Sequence, residues 1–120
     1  MRRPELATHR AVAEYLQAVL PPSVFWTTFP AGGGGRARGA QLKAIGLQAG
    51  VPDILVIYCG RTYFIELKAP RGRLSEAQET CHPRIWEAGA PVGIAKSVDD
   101  VRSLLAGWGI PTREAQARAA

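Results

Sequence analysis

Sulfur is scarce in this 120-residue chain, which has two cysteines and one methionine, and no apolar run is long enough to cross a bilayer. Cys59 and Cys81 fit neither a disulfide framework nor the paired spacing of a thiolate metal site, so both are expected to be reduced, buried thiols. The absence of any stretch near 20 apolar residues excludes a spanning helix, and no membrane partner is expected. Met1-Arg2-Arg3-Pro4 leads into a charged amphipathic segment where a secretion signal would turn apolar, so a cytoplasmic setting is expected. No repeat of useful period occurs. Acidic residues are the minority: 15 Lys and Arg stand against 10 Asp and Glu, a formal charge of +5 with pI near 9.8. That balance leans toward a polyanionic partner. The length allows one core, so residues 1–110 are read as a single domain and 111–120 as a tail.

Along the chain, residues 4–20 read as a helix with Leu6, His9, Ala13, Leu16 and Leu20 on one stripe, stopped by Pro21-Pro22. Residues 23–29 have strand composition. Residues 30–39 read as a glycine-rich loop carrying Arg36 and Arg38, and 40–47 as a short helix. The unbroken apolar run 54–58 reads as a strand buried on both faces, followed by a turn at Cys59-Gly60-Arg61 and a second strand over 62–68. Residues 75–88 form the next helix, with Leu74, Cys81, Ile85 and Ala88 facing the core and Gly89 as its stop. A short strand over 91–96 and a helix over 98–107 follow, and the three tryptophans are assigned to the core. The order is that of an α/β domain with a small mixed sheet against which helices pack.

The most informative residues lie around the hairpin. Gly50-Val51-Pro52-Asp53 opens its first strand, and Ile65-Glu66-Leu67-Lys68 closes its second. Strand alternation puts Glu66 and Lys68 on one face, with Asp53 at the same end of the sheet. Ionisable groups at the edge of an apolar sheet are costly unless they hold something. Two carboxylates suit Mg²⁺, which keeps several waters, and the Leu67 carbonyl supplies a further hard oxygen. Lys68 is placed to hold or deprotonate a water and to stabilise developing negative charge. On spacing alone, an ion pair capping the sheet is the better explanation of these residues.

Those two motifs, with Gly72-Arg73-Leu74-Ser75 and Gln78 after them, resemble the VRR-NUC family of the PD-(D/E)xK nuclease superfamily, in particular its compact stand-alone members from phages and bacteria. The resemblance runs from about Glu5 to about Trp108. It implies a restriction-endonuclease-like core in αβββαβ order and a Mg²⁺- or Mn²⁺-dependent endonuclease acting on DNA. It assigns metal binding to Asp53, Glu66 and the Leu67 carbonyl, with Glu5 on the first helix as a further acid. The lysine role falls to Lys68, and a supporting polar role to Gln78. Similarity to dimeric resolvases implies a homodimer acting on branched DNA such as four-way (Holliday) junctions. A restriction- or repair-type nuclease with another DNA substrate, and a non-catalytic nucleic-acid-binding module on a nuclease fold, are the alternatives.

Gln78 follows Ser75 by three, so it also fits a capping box that needs no catalysis. His9, in mid-stripe, reads as a satisfied core residue that orients Glu5. Arg36, Arg38, Lys43, Arg71 and Arg73 bracket the site in sequence, and the same positions read either as a cationic rim for phosphates or as ordinary solubilising charge.

Overall fold

The computed structural model describes residues 3–29 and 35–119. One four-stranded sheet runs in the order β1 (Phe25–Thr28), β2 (Ile54–Tyr58), β3 (Arg61–Leu67), β4 (Val92–Ala95). The first three strands are mutually antiparallel, and β4 joins β3 in parallel. This is the small mixed sheet expected from the sequence. Five helices accompany it: α1 (Arg3–Val19), α2 (Gly35–Ala44), α3 (Glu76–Glu87), α4 (Val98–Gly107) and α5 (Arg113–Ala119).

The β2–β3 hairpin turns on Cys59 and Gly60, whose φ angles of 49° and 76° form a left-handed two-residue turn. Such turns match the twist of the flanking strands. Cys59 is consequently exposed at the hairpin tip, against the expectation of two buried thiols, while Cys81 is buried.

Ile54 and Val56 on β2 meet Tyr63, Ile65 and Leu67 on β3 in the core, with Val12, Leu16 and Val19 of α1 and Val101 and Leu105 of α4. The buried stripe of α1 keeps Leu16 and Leu20 of the one read from sequence but shifts at its start: Leu6 is 44% exposed, while Val12 and Val19 are buried. Glu5, His9, Val12, Leu16 and Val19 follow one another at steps of three and four, so they line one side of the helix. Rotating the stripe this way carries the polar pair Glu5 and His9 toward the sheet end that holds Asp53. Trp108 packs on Tyr63 with ring centroids 4.9 Å apart. Trp86, expected in the core, is 55% exposed because α3 buries only Cys81 and His82.

Nor is β2 buried on both faces. Its Leu55 and Ile57 are only half-buried. The strand register puts Phe25 beside Ile57 and Phe64 beside Leu55, so these four share the second face, where Phe25 is 60% exposed. The tail, unassigned from sequence, contains α5. Arg102 of α4 bonds Glu114 of α5 at 2.9 Å and lies over the Tyr15 ring of α1, tying three helices together.

Candidate active site

Asp53 and Glu66 are brought together by strand register. Ile54 pairs with Ile65, so one step outward sets Asp53 opposite Glu66, and a second sets Pro52 opposite Leu67. The N–H groups of Phe64 and Lys68 go to β4, at Pro91 and Ala95, so Leu67 turns its N–H and C=O toward the β2 side. Pro52 has no N–H to give the Leu67 carbonyl. The Leu67 N–H donates instead to Asp53 Oδ2 at 2.7 Å. One proline thus ends the ladder, frees a carbonyl from that ladder partner, and lets Asp53 take the place of backbone.

Each carboxyl also meets a histidine. His9 Nε2 of α1 lies 3.5 Å from Asp53 Oδ1, so His9 serves Asp53 where sequence had set it beside Glu5. His82 Nε2 of α3 lies 3.0 Å from Glu66 Oε1. Glu66 is 1% exposed and His82 6%. A cleft of about 500 Å³ opens above, lined by Glu5, His9, Asp53, Glu66, Lys68 and Gln78 among others.

The electrostatics follow from burial and proximity. Burial, together with a hydrogen bond to Asp53 and that residue's charge, pushes the Glu66 pKa up to about 9, against the pull of Lys68. Burial acts to raise Asp53 as well, but hydrogen bonds from His9, Glu66 and the Leu67 N–H outweigh it, and Asp53 sits below its ordinary value. The pair therefore shares one proton, held on the Glu66 side, because two adjacent buried carboxylates resist double ionisation. Burial lowers the His82 pKa, and nearby Lys68 lowers it further while Asp53 opposes.

A consequence is measurable. Between the ordinary carboxyl value of 4.5 and about 9, the folded protein keeps a proton on Glu66 that the unfolded chain has released. The folded state binds more protons there, so stability falls as pH rises through that window, by at most about 1.4 kcal/mol per pH unit. Chelator-treated protein is expected to melt progressively lower from pH 5 to pH 9, and Glu66→Gln to flatten the trend. Equal pH slopes in the two proteins would contradict the shared proton.

No family model matches the chain, and no curated protein does. Solved structures do. One described as "VRR_NUC domain protein" is 20% identical, with 84% of each chain covered and a TM-score of 0.66. Another, described as "VRR_NUC domain", is 23% identical over 87% of this chain and 96% of its own, with a TM-score of 0.59. The chain has the VRR_NUC fold.

Within this VRR_NUC fold, the residues singled out from sequence divide into two groups. Asp53, Glu66, Leu67, Lys68, Gln78, Glu5 and Lys43 all line the cleft. Arg36, Arg38, Arg71 and Arg73 are exposed and outside its lining. Arg36 and Arg38 do not sit in a loop as expected. They lie on α2, which begins at Gly35 and has no buried residue, and the rest of the expected loop, 30–34, falls outside the described residues. Gln78 completes the capping box: Ser75 N–H donates to its Oε1 at 2.8 Å, and its own N–H donates to Ser75 Oγ at 3.2 Å. That role leaves its Nε2 out of the capping box, and Gln78 is among the residues lining the cleft. The residue missed from sequence is His82, whose signal was its position one turn beyond Gln78 on the same helix side.

Among the described residues no group of three or more His, Cys, Asp or Glu side chains is placed to hold a metal ion. The donors present are hard oxygens: two carboxylates and the Leu67 carbonyl. Such a set suits an octahedral cation that keeps part of its water, and not a tetrahedral zinc.

Proposed function

We propose that this protein is a Mg²⁺- or Mn²⁺-dependent endonuclease that hydrolyses DNA phosphodiester bonds, selective for branched DNA such as four-way junctions. The observation that carries the reading is the pairing of Asp53 with buried Glu66 across β2 and β3, at a cleft that Lys68 also lines. Asp53, Glu66 and the Leu67 carbonyl are the residues that would hold the cation. When bound, it supplies charge neutralisation at the phosphate and a more acidic water. Lys68, on the strand next to Glu66, holds the attacking water or takes its proton, and stabilises the negative charge that builds on phosphorus-bound oxygen. Water oxygen bonds to phosphorus as the bond to the leaving sugar oxygen breaks. Gln78 Nε2 orients the phosphate or the water at the cleft mouth. Lys43 on the cleft wall, with Arg36, Arg38, Arg71 and Arg73 around it, contacts backbone phosphates, a mode that gives affinity without sequence preference.

A branched substrate is supported by the open sheet face. Phe25, Leu55, Ile57 and Phe64 present an uncharged surface on a chain of net charge +5, which suits a second copy of the chain better than a polyanion. Two centres related by a two-fold axis match a junction with the same symmetry. The test is a cleavage panel of four-way junction, flap, nicked duplex and single strand in Mg²⁺, Mn²⁺ or EDTA, with sedimentation for assembly. Cutting in Mn²⁺ and none in EDTA is expected, with the junction preferred and a sedimenting dimer. A preference for flap or nicked duplex would favour the repair-type alternative, and binding without any cutting would favour the non-catalytic module.

A further inference from the structure

The chain contains two histidines, and each of them reaches one of the two site carboxyls. His82 makes the closer contact, at 3.0 Å against 3.5 Å for His9, and it is the more buried. We propose that His82 is a positioning residue that holds the Glu66 carboxyl through Oε1 so that Oε2 is offered to a divalent cation in the cleft. The inference rests on the nuclease reading above and adds to it a residue with no direct part in the chemistry.

Three features of the fold support the role. First, Glu66 is 1% exposed, so solvent does not supply a partner for Oε1 if the imidazole is removed. Second, α3 is fixed where it begins. Its capping box closes at Ser75 and Gln78, and Gly50 approaches so near that a methyl group there would lie 2.2 Å from the Ala77 carbonyl oxygen. The segment leading to Asp53 and the helix carrying His82 are thereby held in one relative position. Third, Gln78 and His82 are one turn apart on α3, so the helix that sets Gln78 in the cleft lining sets the imidazole against Glu66. Histidine in this role fixes the orientation of a ligating carboxyl, and removing such a partner lowers metal affinity by about 10–100-fold in other sites.

The test measures Mn²⁺ binding directly, by the electron paramagnetic resonance of free Mn²⁺, on wild type, His82→Leu and His82→Gln, with melting curves alongside. His82→Leu is expected to bind Mn²⁺ about 10–100-fold more weakly, and His82→Gln, which keeps a donor, to recover most of the loss. Junction affinity in EDTA should be the same in all three proteins, and excess Mn²⁺ should restore cleavage by His82→Leu. A second measurement needs only wild type: the His82 ring N–H resonance, followed in ¹⁵N-histidine protein, should move on Mg²⁺ saturation. A folded His82→Leu that binds Mn²⁺ as wild type does would overturn the proposal, as would a ring resonance indifferent to Mg²⁺. Wild type with no Mn²⁺ affinity would remove the nuclease reading itself, and this inference with it.

Discussion

Lys68→Ala is expected to keep the fold, bind a four-way junction as tightly as wild type in Ca²⁺, and cut it about 10²–10⁴-fold more slowly in Mg²⁺. The retained fold follows from how the residue is anchored. Its backbone N–H bonds to the Ala95 carbonyl at 2.9 Å whatever the side chain, and the strand before it is locked by Tyr63, Ile65 and Leu67 in the core. The lost rate follows from the side chain's place beside Glu66, close enough to oppose the upward shift of that carboxyl. Single-turnover cleavage separates the two effects, since binding energy common to ground and transition states cancels from the chemical step. Arg71→Ala, three residues on and outside the cleft lining, is the control: a weaker, less salt-sensitive complex with an unchanged single-turnover rate. Normal cutting by Lys68→Ala would remove the lysine from the chemistry.

Gly50→Ala is expected to be the most destabilising single-atom-scale change in the molecule. Gly50 has φ +81°, a conformation that costs an alanine about 1–2 kcal/mol. Its added methyl would meet the Ala77 carbonyl oxygen at 2.2 Å and the Gln78 nitrogen at 2.7 Å. Both are backbone atoms of the first turn of α3, held by the capping box, so neither yields as a flexible side chain would. Overpacking of this kind adds about 1–3 kcal/mol. The sum is about 2–5 kcal/mol, a fall in Tm of 10 °C or more for a domain of this size. Gly89→Ala is the matched comparison. It has φ +101° with nothing within 4 Å, so it bears the backbone cost alone. Equal Tm values for the two variants would mean that the contact between Gly50 and α3 is not tight in solution.

The pairing of Asp53 with Glu66 was legible because the hairpin is short and a strand alternates with period two, which leaves little freedom of register. Helix α4 was legible for a similar reason. Ser97 caps it by accepting from the Asp100 N–H at 3.1 Å, and its bounds, Val98–Gly107, fall where the sequence placed them. The setting of α1 was legible only in part. Leu16 and Leu20 of the stripe Leu6, His9, Ala13, Leu16 and Leu20 are buried as read, but Leu6 gives way to Val12 and Val19, and only the sheet beneath decides that. The start of α2 was hidden because Gly35 and Gly39 lie within it, and glycine argues locally against a helix. His82 was hidden because its one signal, a place one turn beyond Gln78, says nothing of a partner. Glu66 lies sixteen residues away, and the fold alone joins them.

The hairpin tip has a practical use of its own. Cys59 is exposed, and the other thiol of the chain, Cys81, is buried. A maleimide dye should therefore label one position without engineering. The five residues of β2 lie between that position and Asp53, a separation of about 20 Å along the strand. A donor at Cys59 and an acceptor on one arm of a junction would report where the arm lies relative to the carboxyls, in unmodified protein, while the centre itself stays untouched.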